Sequence, residues 1–160
     1  MVGVDVTVVP ASQSERDVVG QLLELNAYEF SRLDRRAIGS DGRYGYRYLD
    51  AYWSEPDRFP YLVRAGRELA GLALVSRIGS VMHMSEFLIL PRFRRAGVGT
   101  AAAGQVFAKH PGSWQVRQLA GHDQATNFWR RAIPAPFVED VDGDRRPTQT
   151  FTILSRSQPT

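Results

Sequence analysis

Short apolar runs, many of them bounded by glycine or proline, alternate along this chain with segments of helical periodicity. The runs are rich in β-branched and aromatic residues, which suit a pleated, half-buried surface, and we interpret them as strands. Gly66 predicts a hairpin between the second and third runs, and Gly71 predicts a bulge or a close backbone approach. The runs are Val4–Val9, Tyr61–Ala65, Leu69–Ile78, Val81–Leu90, Trp114–Leu119, Phe137–Asp140 and Thr148–Leu154.

Three segments of helical character lie between these strands. The first begins at a capping residue, Ser12 or Ser14, and extends to about Phe30. The second is rich in alanine and runs from Gly97 to Lys109, and the third covers Ala125–Ile133. The apolar stripe expected for the first helix consists of Val18, Leu22, Leu25 and Phe30.

Taken in chain order, these elements predict an α/β domain in which a mixed, largely antiparallel, twisted sheet is flanked by helices. The segment Ser31–Glu55 predicts a loop with a short helix or turn near Tyr48–Trp53. A length of 160 residues is enough for one domain with a hydrophobic core. We assign residues 1–154 to this single domain and expect residues 155–160 to form a flexible tail.

The composition narrows the possible functions. The chain has no Cys, which excludes disulfides and a Cys nucleophile, and its three His are dispersed, so no metal site is predicted. The net charge of +3 comes almost wholly from arginine, without the continuous basic footprint that nucleic-acid binding requires. Neither a membrane span nor a secretory signal is evident, and we expect a cytoplasmic protein.

The segment of residues 85–109 carries the strongest functional signal. Phe87–Leu90 is an unbroken apolar run, which suits a strand buried on both faces. A short basic turn follows, and Gly97 and Gly99 open the next helix. Backbone N–H groups converge at a helix start, glycines leave room there, and the helix N-terminus adds positive charge. The segment therefore predicts a cradle for phosphate groups.

Several kinds of phosphate cradle have to be distinguished. A Walker loop needs a Lys directly after its last glycine, and neither Gly97 nor Gly99 is followed by one. The dinucleotide pattern is formally matched by Gly97, Gly99 and Ala102, but six residues separate Leu90 from Gly97, whereas that pattern follows its strand closely. A third pattern, Arg/Gln-x-x-Gly-x-Gly/Ala, is filled by Arg94, Gly97 and Gly99. A plain helix start without a ligand stays open as an alternative.

The third pattern resembles the coenzyme A loop of the GNAT N-acetyltransferase superfamily. The family's longer motif, Val-x-Pro-x-Tyr-Arg-x-x-Gly-x-Gly, is similar to residues 89–99, Ile-Leu-Pro-Arg-Phe-Arg-Arg-Ala-Gly-Val-Gly. The family then has a strand and a helix that begins near Asn-x-x-Ala-x-x-Phe-Tyr. Here His122-Asp123-Gln124-Ala125-Thr126-Asn127-Phe128-Trp129 stands at that position. The order of the predicted elements also matches the GNAT fold.

The resemblance implies a binding site for acetyl-coenzyme A as the acetyl donor. In the family, the fourth strand carries a bulge and diverges from the fifth, and the pantetheine arm pairs with strand backbone in the gap. His122 occupies the place of the Asn that helps to hold the coenzyme. The implied pantetheine contacts are Leu88, Ile89 and Leu90, and the implied pyrophosphate contacts are Arg94, Arg95, Ala96, Gly97, Val98, Gly99 and Thr100.

Glu86 is the candidate catalytic base that the resemblance implies, because the family often uses a fourth-strand Glu to take a proton from the amine. Burial at the head of an apolar strand would raise the pKa of Glu86 toward a useful value. An ion pair with an Arg, or a solvated strand end, remains open as a structural explanation for this residue. His83 is a second candidate, expected on the opposite face of the strand unless a bulge intervenes.

One departure from the family pattern bears on activity. Trp129 stands where many members have a Tyr that can protonate the departing thiolate, and indole has no labile acidic proton for that task. We expect an acetyl-coenzyme A-dependent N-acetyltransferase that acts on a primary amine of a small molecule or a protein, with a homodimer implied by the family alone. The alternative is a catalytically weak GNAT-like protein that binds acyl-coenzyme A as a sensor or interaction module.

Overall fold

The computed structural model describes residues 3–156, which form a single seven-stranded sheet flanked by four α-helices. The strands are β1 Val6–Pro10, β2 Arg58–Ala65, β3 Glu68–Ile78, β4 Val81–Ile89, β5 Gly112–Arg117, β6 Phe137–Val141 and β7 Pro147–Ile153. The helices are α1 Arg16–Asp34, α2 Ala51–Ser54, α3 Val98–Lys109 and α4 Asp123–Ala132. The tail expected at Ser155–Thr160 lies largely outside the described residues.

The strands lie in the order β1-β2-β3-β4-β5-β7-β6. Every neighbouring pair is antiparallel except β4 and β5, which run parallel. The mixed, largely antiparallel sheet predicted from the sequence is therefore confirmed. Among residues 3–156, no helix is long and apolar enough to span a membrane.

Each face of the sheet has its own hydrophobic core. On one face, α3 and α4 cover an aromatic cluster in which Phe107 contacts Trp114 with ring centroids 4.8 Å apart. On the other face, α1 and α2 pack Val19 and Tyr52 against the inner strands. The second core ends at β4, so the α1 side of β5, β7 and β6 has no helix over it among the described residues.

The predicted stripe of α1 was partly wrong. Val18 and Leu25 are 39% and 45% exposed, whereas the buried positions are Val19, Leu22, Leu23, Asn26 and Ala27. These positions follow the spacing i, i+3, i+4, i+7, i+8 of one helix face, but a polar Asn at the fourth position hides the pattern. The helix also continues past Phe30 to Asp34 and is capped by Arg35, whose φ of 54° is left-handed.

The predicted hairpin and the special position of Gly71 are confirmed. Gly66 turns the chain between β2 and β3 with a φ of 61°. A Cβ atom on Gly71 would lie 1.9 Å from the carbonyl oxygen of Leu88, so only glycine lets β3 and β4 approach this closely. Several strand boundaries differ from the prediction. Pro10 pairs with Tyr61 at the end of β1 instead of terminating the strand before it, β2 begins at Arg58, and β5 covers Gly112–Arg117.

Candidate functional site

The site begins where β4 and β5 separate. The two strands pair only at Val81–Ser113, Met82–Trp114 and His83–Gln115, and beyond that point each continues without the other. A cavity of about 960 Å³ occupies the gap. This volume is at the upper end of the range typical of small-molecule sites.

One backbone edge of β4 faces this gap without a strand partner. The N–H of Leu90 donates to the carbonyl oxygen of Ala70 at 2.8 Å, so Leu90 and Leu88 turn their backbone groups toward β3. In an antiparallel pair such residues alternate with residues that face away. Phe87 and Ile89 therefore direct their backbone N–H and C=O groups into the gap. Of the three predicted pantetheine contacts, Leu88 and Ile89 line the cavity and Leu90 does not.

The predicted cradle lies at the mouth of the same cavity. Gly97 caps α3 with a φ of 78°, and Arg95 before it has a φ of 61°. Space around Gly97 is open, since a Cβ atom there would meet nothing within 4 Å. The first N–H groups of α3 and the positive end of its dipole face this open region. Cradle residues that line the cavity are Arg94, Arg95, Gly97, Gly99 and Thr100, whereas Ala96 and Val98 do not.

Hydrogen bonds of the Arg94 side chain connect the cradle to other residues that line the cavity. Its Nε donates to the carbonyl oxygen of Ile89 at 2.7 Å, and its Nη2 donates to both carboxylate oxygens of Glu29 at 2.8 and 3.0 Å. Glu29 belongs to α1, so this side chain bridges the end of β4 and the helix over the opposite face.

Glu86 lies on β4 inside the cavity, where α1 covers the strand. The Nδ2 of Asn26 donates to Glu86 Oε2 at 2.9 Å, and Asn26 is only 3% exposed. Burial raises the pKa of Glu86 to about 7, although the positive charge of Arg36 and the Asn26 hydrogen bond partly oppose this shift. A carboxyl group with such a pKa exchanges protons readily near neutral pH.

A bulge at Ser85 decides which side chains accompany Glu86. Leu74 pairs with Glu86 while Val75 pairs with Met84, so Ser85 is the extra residue, and its Oγ lies 2.7 Å from that of Ser76. His83 pairs with Ser76, which places it on the same face as Glu86. The bulge that the sequence analysis allowed for is present. His83 nevertheless does not line the cavity, and burial lowers its pKa.

Trp129 and His122 close the α4 side of the cavity. Trp129 is 6% exposed, and its ring packs against Phe87 and Phe128 with centroids 4.9 Å away in each case. His122 precedes α4 and contacts Phe30 edge-on at 5.8 Å. Burial lowers the pKa of His122, although the negative charge of Glu29 partly opposes this shift, and the neutral imidazole is favoured.

The tyrosines stand apart from this large cavity. Among the described residues that line it, there is no tyrosine. Tyr46 instead lines a second cavity of about 20 Å³ beside Glu86, together with Asn26 and Arg36. Burial raises the pKa of Tyr46 well above its usual value, so its hydroxyl is neutral at ordinary pH.

Sequence reasoning missed three residues of this site. Asn26 and Arg36 lie far from the cradle in sequence, and only the packing of α1 over β4 brings them to Glu86. Phe87 was recognised as a strand residue but not as a backbone contact, because the alternation of paired and free groups depends on register. The one available signal was Asn26 itself, a polar residue in the middle of an otherwise apolar helix face.

Comparison with known proteins identifies relatives of this chain. A family model described as "Acetyltransferase (GNAT) family" matches residues 25–132. None of the curated proteins matches in sequence. An acetyltransferase structure from Thermus thermophilus is similar with a TM-score of 0.72 and 16% identity, covering 96% of this chain and 100% of that one.

Two further similar structures contain coenzyme A. Spermidine N-acetyltransferase from Vibrio cholerae, in complex with CoA and spermine, has a TM-score of 0.64 and 12% identity, covering 94% of this chain and 95% of that one. PaiA N-acetyltransferase from Thermoplasma acidophilum, in complex with coenzyme A, has a TM-score of 0.65 and 9% identity, covering 92% of this chain and 99% of that one. At such identities these likenesses establish the fold.

Proposed function

This chain belongs to the GNAT acetyltransferase family, and from that premise we propose that it transfers an acetyl group from acetyl-coenzyme A to a primary amine of a small molecule or a protein. One observation carries the proposal. The half-buried carboxyl group of Glu86, with a pKa of about 7, lies in the same cavity as a strand edge without a strand partner and a glycine-lined helix start. Together these features supply a proton acceptor, a hydrogen-bonding edge and an anion site.

The residues of this chain fit the donor. The backbone groups of Phe87 and the N–H of Ile89, which have no strand partner on this edge, suit the amides of a pantetheine arm, because backbone groups away from water need hydrogen-bond partners. The α3 start and Arg95 suit a pyrophosphate. We retain the full set of contacts inferred from the family motif, Leu88, Ile89, Leu90, Arg94, Arg95, Ala96, Gly97, Val98, Gly99, Thr100 and His122, as proposals, and add Phe87.

Glu86 would act as the general base. Bound acetyl-coenzyme A supplies a thioester carbonyl carbon that a neutral amine can attack. An amine is protonated in water at neutral pH, so Glu86 must take one of its protons, directly or through water. Asn26 holds one carboxylate oxygen and leaves the other, Oε1, free to receive the proton. No covalent bond to the enzyme is needed, in keeping with the absence of Cys.

A second function is favoured by a specific observation, the buried indole of Trp129 and the lack of any tyrosine among the described residues that line the large cavity. Without a tyrosine hydroxyl to act as the acid, the leaving thiolate would take its proton from water, and turnover would be slow. The alternative is accordingly a protein of this family that binds acyl-coenzyme A as a sensor or interaction module. A cytoplasmic location and a homodimer also stay predictions.

The experiment that separates these functions has two stages. First, thermal unfolding is measured with coenzyme A, acetyl-coenzyme A and NAD in parallel. A ligand at about 100 times its dissociation constant stabilises the fold by roughly 2.7 kcal/mol, and only the two coenzyme A forms should do so. Second, polyamines, amino acids and peptides with free amines are screened for release of free thiol from acetyl-coenzyme A.

Glu86→Gln should lower kcat by about 100- to 10,000-fold while coenzyme A binding persists. His83→Gln is the matched control, because it removes a titrating group from the same strand face outside the cavity, and it should leave turnover intact. Full activity in Glu86→Gln would exclude Glu86 as the base. Binding of coenzyme A without turnover on any amine would favour the sensor, and no binding of either form would refute both functions.

A further inference from the structure

Arg94 is the first residue of the motif that suggests phosphate binding, yet its side chain already has partners. Its Nε is bonded to the Ile89 carbonyl oxygen, and its Nη2 is bonded to Glu29 at 2.8 and 3.0 Å. Glu29 lines the same cavity. The cation offered to the ligand's phosphates is therefore neutralised by a carboxylate from α1.

A diphosphate bound to the Arg94 guanidinium would lie close to the Glu29 carboxylate, both of whose oxygens accept from Nη2. Two anions held close together repel each other, and this repulsion is stronger beside a cavity wall than in bulk water. The Glu29–Arg94 pair is open to competition, because the two side chains are 40% and 38% exposed, and such pairs are weak. The arginine fork matches phosphate oxygens as well as carboxylate oxygens, so a diphosphate can replace Glu29 as its partner.

We propose that Glu29 is a specificity-determining residue for the acetyl donor, which competes with the donor's diphosphate for Arg94 and so lowers its affinity. The inference rests on the proposed function, since it takes coenzyme A as the ligand. A donor that contains only the pantetheine portion has no diphosphate charge to compete for Arg94 and leaves the Glu29 pair in place. Glu29 thus lowers the affinity for donors that contain a diphosphate and leaves the affinity for other donors unchanged.

The effect of Glu29 should be confined to binding of the acetyl donor and should not extend to proton transfer. Helix α1 makes separate contacts with the base and with α4, through Asn26 on Glu86 and Phe30 on His122. Release of Glu29 from Arg94 leaves both contacts in place. Removal of the Glu29 charge should therefore lower KM for acetyl-coenzyme A and leave kcat and its pH profile unchanged.

A second ion pair, formed by Arg92 in the basic turn of residues 92–96, provides a control. Arg92 pairs with Glu68 at 3.2 Å, two residues from Arg94, and neither partner lines the cavity. Glu68→Gln removes the carboxylate partner of an arginine in the same turn, as Glu29→Gln does, but outside the site. Both are neutral replacements of nearly equal size at partly exposed positions, so both variants should fold.

The test is calorimetric titration with coenzyme A of the wild type, Glu29→Gln, Glu68→Gln, Arg94→Gln and the Glu29→Gln/Arg94→Gln double variant. We expect a dissociation constant about three- to tenfold lower for Glu29→Gln and no change for Glu68→Gln. The gain should vanish in the Arg94→Gln background, because it acts through that guanidinium. In turnover assays, KM should fall for acetyl-coenzyme A but not for S-acetylpantetheine.

Each other outcome overturns the inference. An unchanged or weaker affinity in Glu29→Gln means that Glu29 orients Arg94 instead of competing for it. A gain that survives in the double variant means that Glu29 acts on the ligand directly. If the wild type binds coenzyme A and acetylates an amine while Glu29→Gln has no effect, only this inference fails, whereas a wild type that binds no coenzyme A refutes the proposed function as well.

Discussion

The two edges of strand β4 differ in almost every respect. Toward β3 the strand pairs from Val81 to Ile89, interrupted only by the bulge at Ser85. Toward β5 it pairs over three residues and then stands free. The paired edge is packed so closely that Gly71 admits no Cβ atom. The free edge borders a cavity of about 960 Å³.

This difference separates stability from function within one strand. Backbone groups on the paired edge bond to β3. On the free edge, the Ile89 carbonyl oxygen bonds to the Arg94 side chain, and the other backbone groups of Phe87 and Ile89 have no strand partner. Glu86 directly follows the bulge, in the part of β4 that pairs with β3 but no longer with β5. Substitutions on the paired edge should therefore affect folding, and substitutions around the free edge should affect binding and proton transfer.

Gly71→Ala should give the largest effect, and it should be an effect on folding. The new methyl group would lie 1.9 Å from the Leu88 carbonyl oxygen, so β3 and β4 would have to separate. We expect a loss of about 3 kcal/mol or more in the free energy of unfolding, measured by urea denaturation. Gly104→Ala in α3 is the control and should be neutral or stabilising, because a Cβ atom there meets nothing within 4 Å. Equal stability of Gly71→Ala and the wild type would show that the paired edge is not tightly packed.

Glu86→Gln should increase stability at alkaline pH by up to about 3 kcal/mol, the equivalent of moving a pKa from 4.5 to about 7. The folded state holds the proton of Glu86 more tightly than the unfolded state does. The resulting stabilisation is complete below pH 4.5 and is lost as the pH rises through 7. Above that pH the wild type contains a buried charge that the Gln variant lacks.

The measurement is urea denaturation of both proteins at about pH 5 and about pH 8, on either side of the raised pKa. The difference between them should be small at the acidic pH and large at the alkaline pH, with the variant more stable. Because every other titrating group is common to both proteins, this comparison isolates Glu86. The same difference at both pH values would mean that the Glu86 pKa is not raised.

Gly97→Asp should weaken coenzyme A binding by about tenfold or more relative to Gly97→Asn, a difference of about 1.4 kcal/mol. Both side chains have the same shape and must adopt the same left-handed backbone at a φ of 78°, so their strain is shared. Only the Asp places a negative charge at the cradle. Equal dissociation constants for the two variants, measured by calorimetry, would show that the α3 start does not hold the phosphates.

The sequence predicted local structure better than long-range packing. The hairpin at Gly66 and the α3 start at Gly97 depend on a left-handed backbone that few residues other than glycine adopt, and the close approach at Gly71 leaves no room for a side chain, so the glycines themselves indicate these features in the sequence. The α1 stripe was partly misjudged, because Val18 is as apolar as Val19 and only the placement of the helix on the sheet distinguishes them.

The candidate site was predictable to a similar extent. The cradle and Glu86 were visible because one continuous segment carries both. Asn26 and Arg36 were not, since sixty and fifty residues separate them from Glu86 and no local rule connects them. The Glu29–Arg94 pair was invisible for the same reason, although each partner is an ordinary charged residue in the sequence.

The free backbone edge of β4 also bears on how this site can diverge over evolution. A surface formed by main-chain N–H and C=O groups is insensitive to which side chains the strand carries, and it is sensitive only to strand register. Apolar replacements of Phe87 or Ile89 that keep the core packing therefore leave that surface unaltered, whereas an insertion or deletion of one residue before Phe87 would exchange the free groups for the paired ones. In this strand, purifying selection should act more strongly against length changes than against amino-acid replacements.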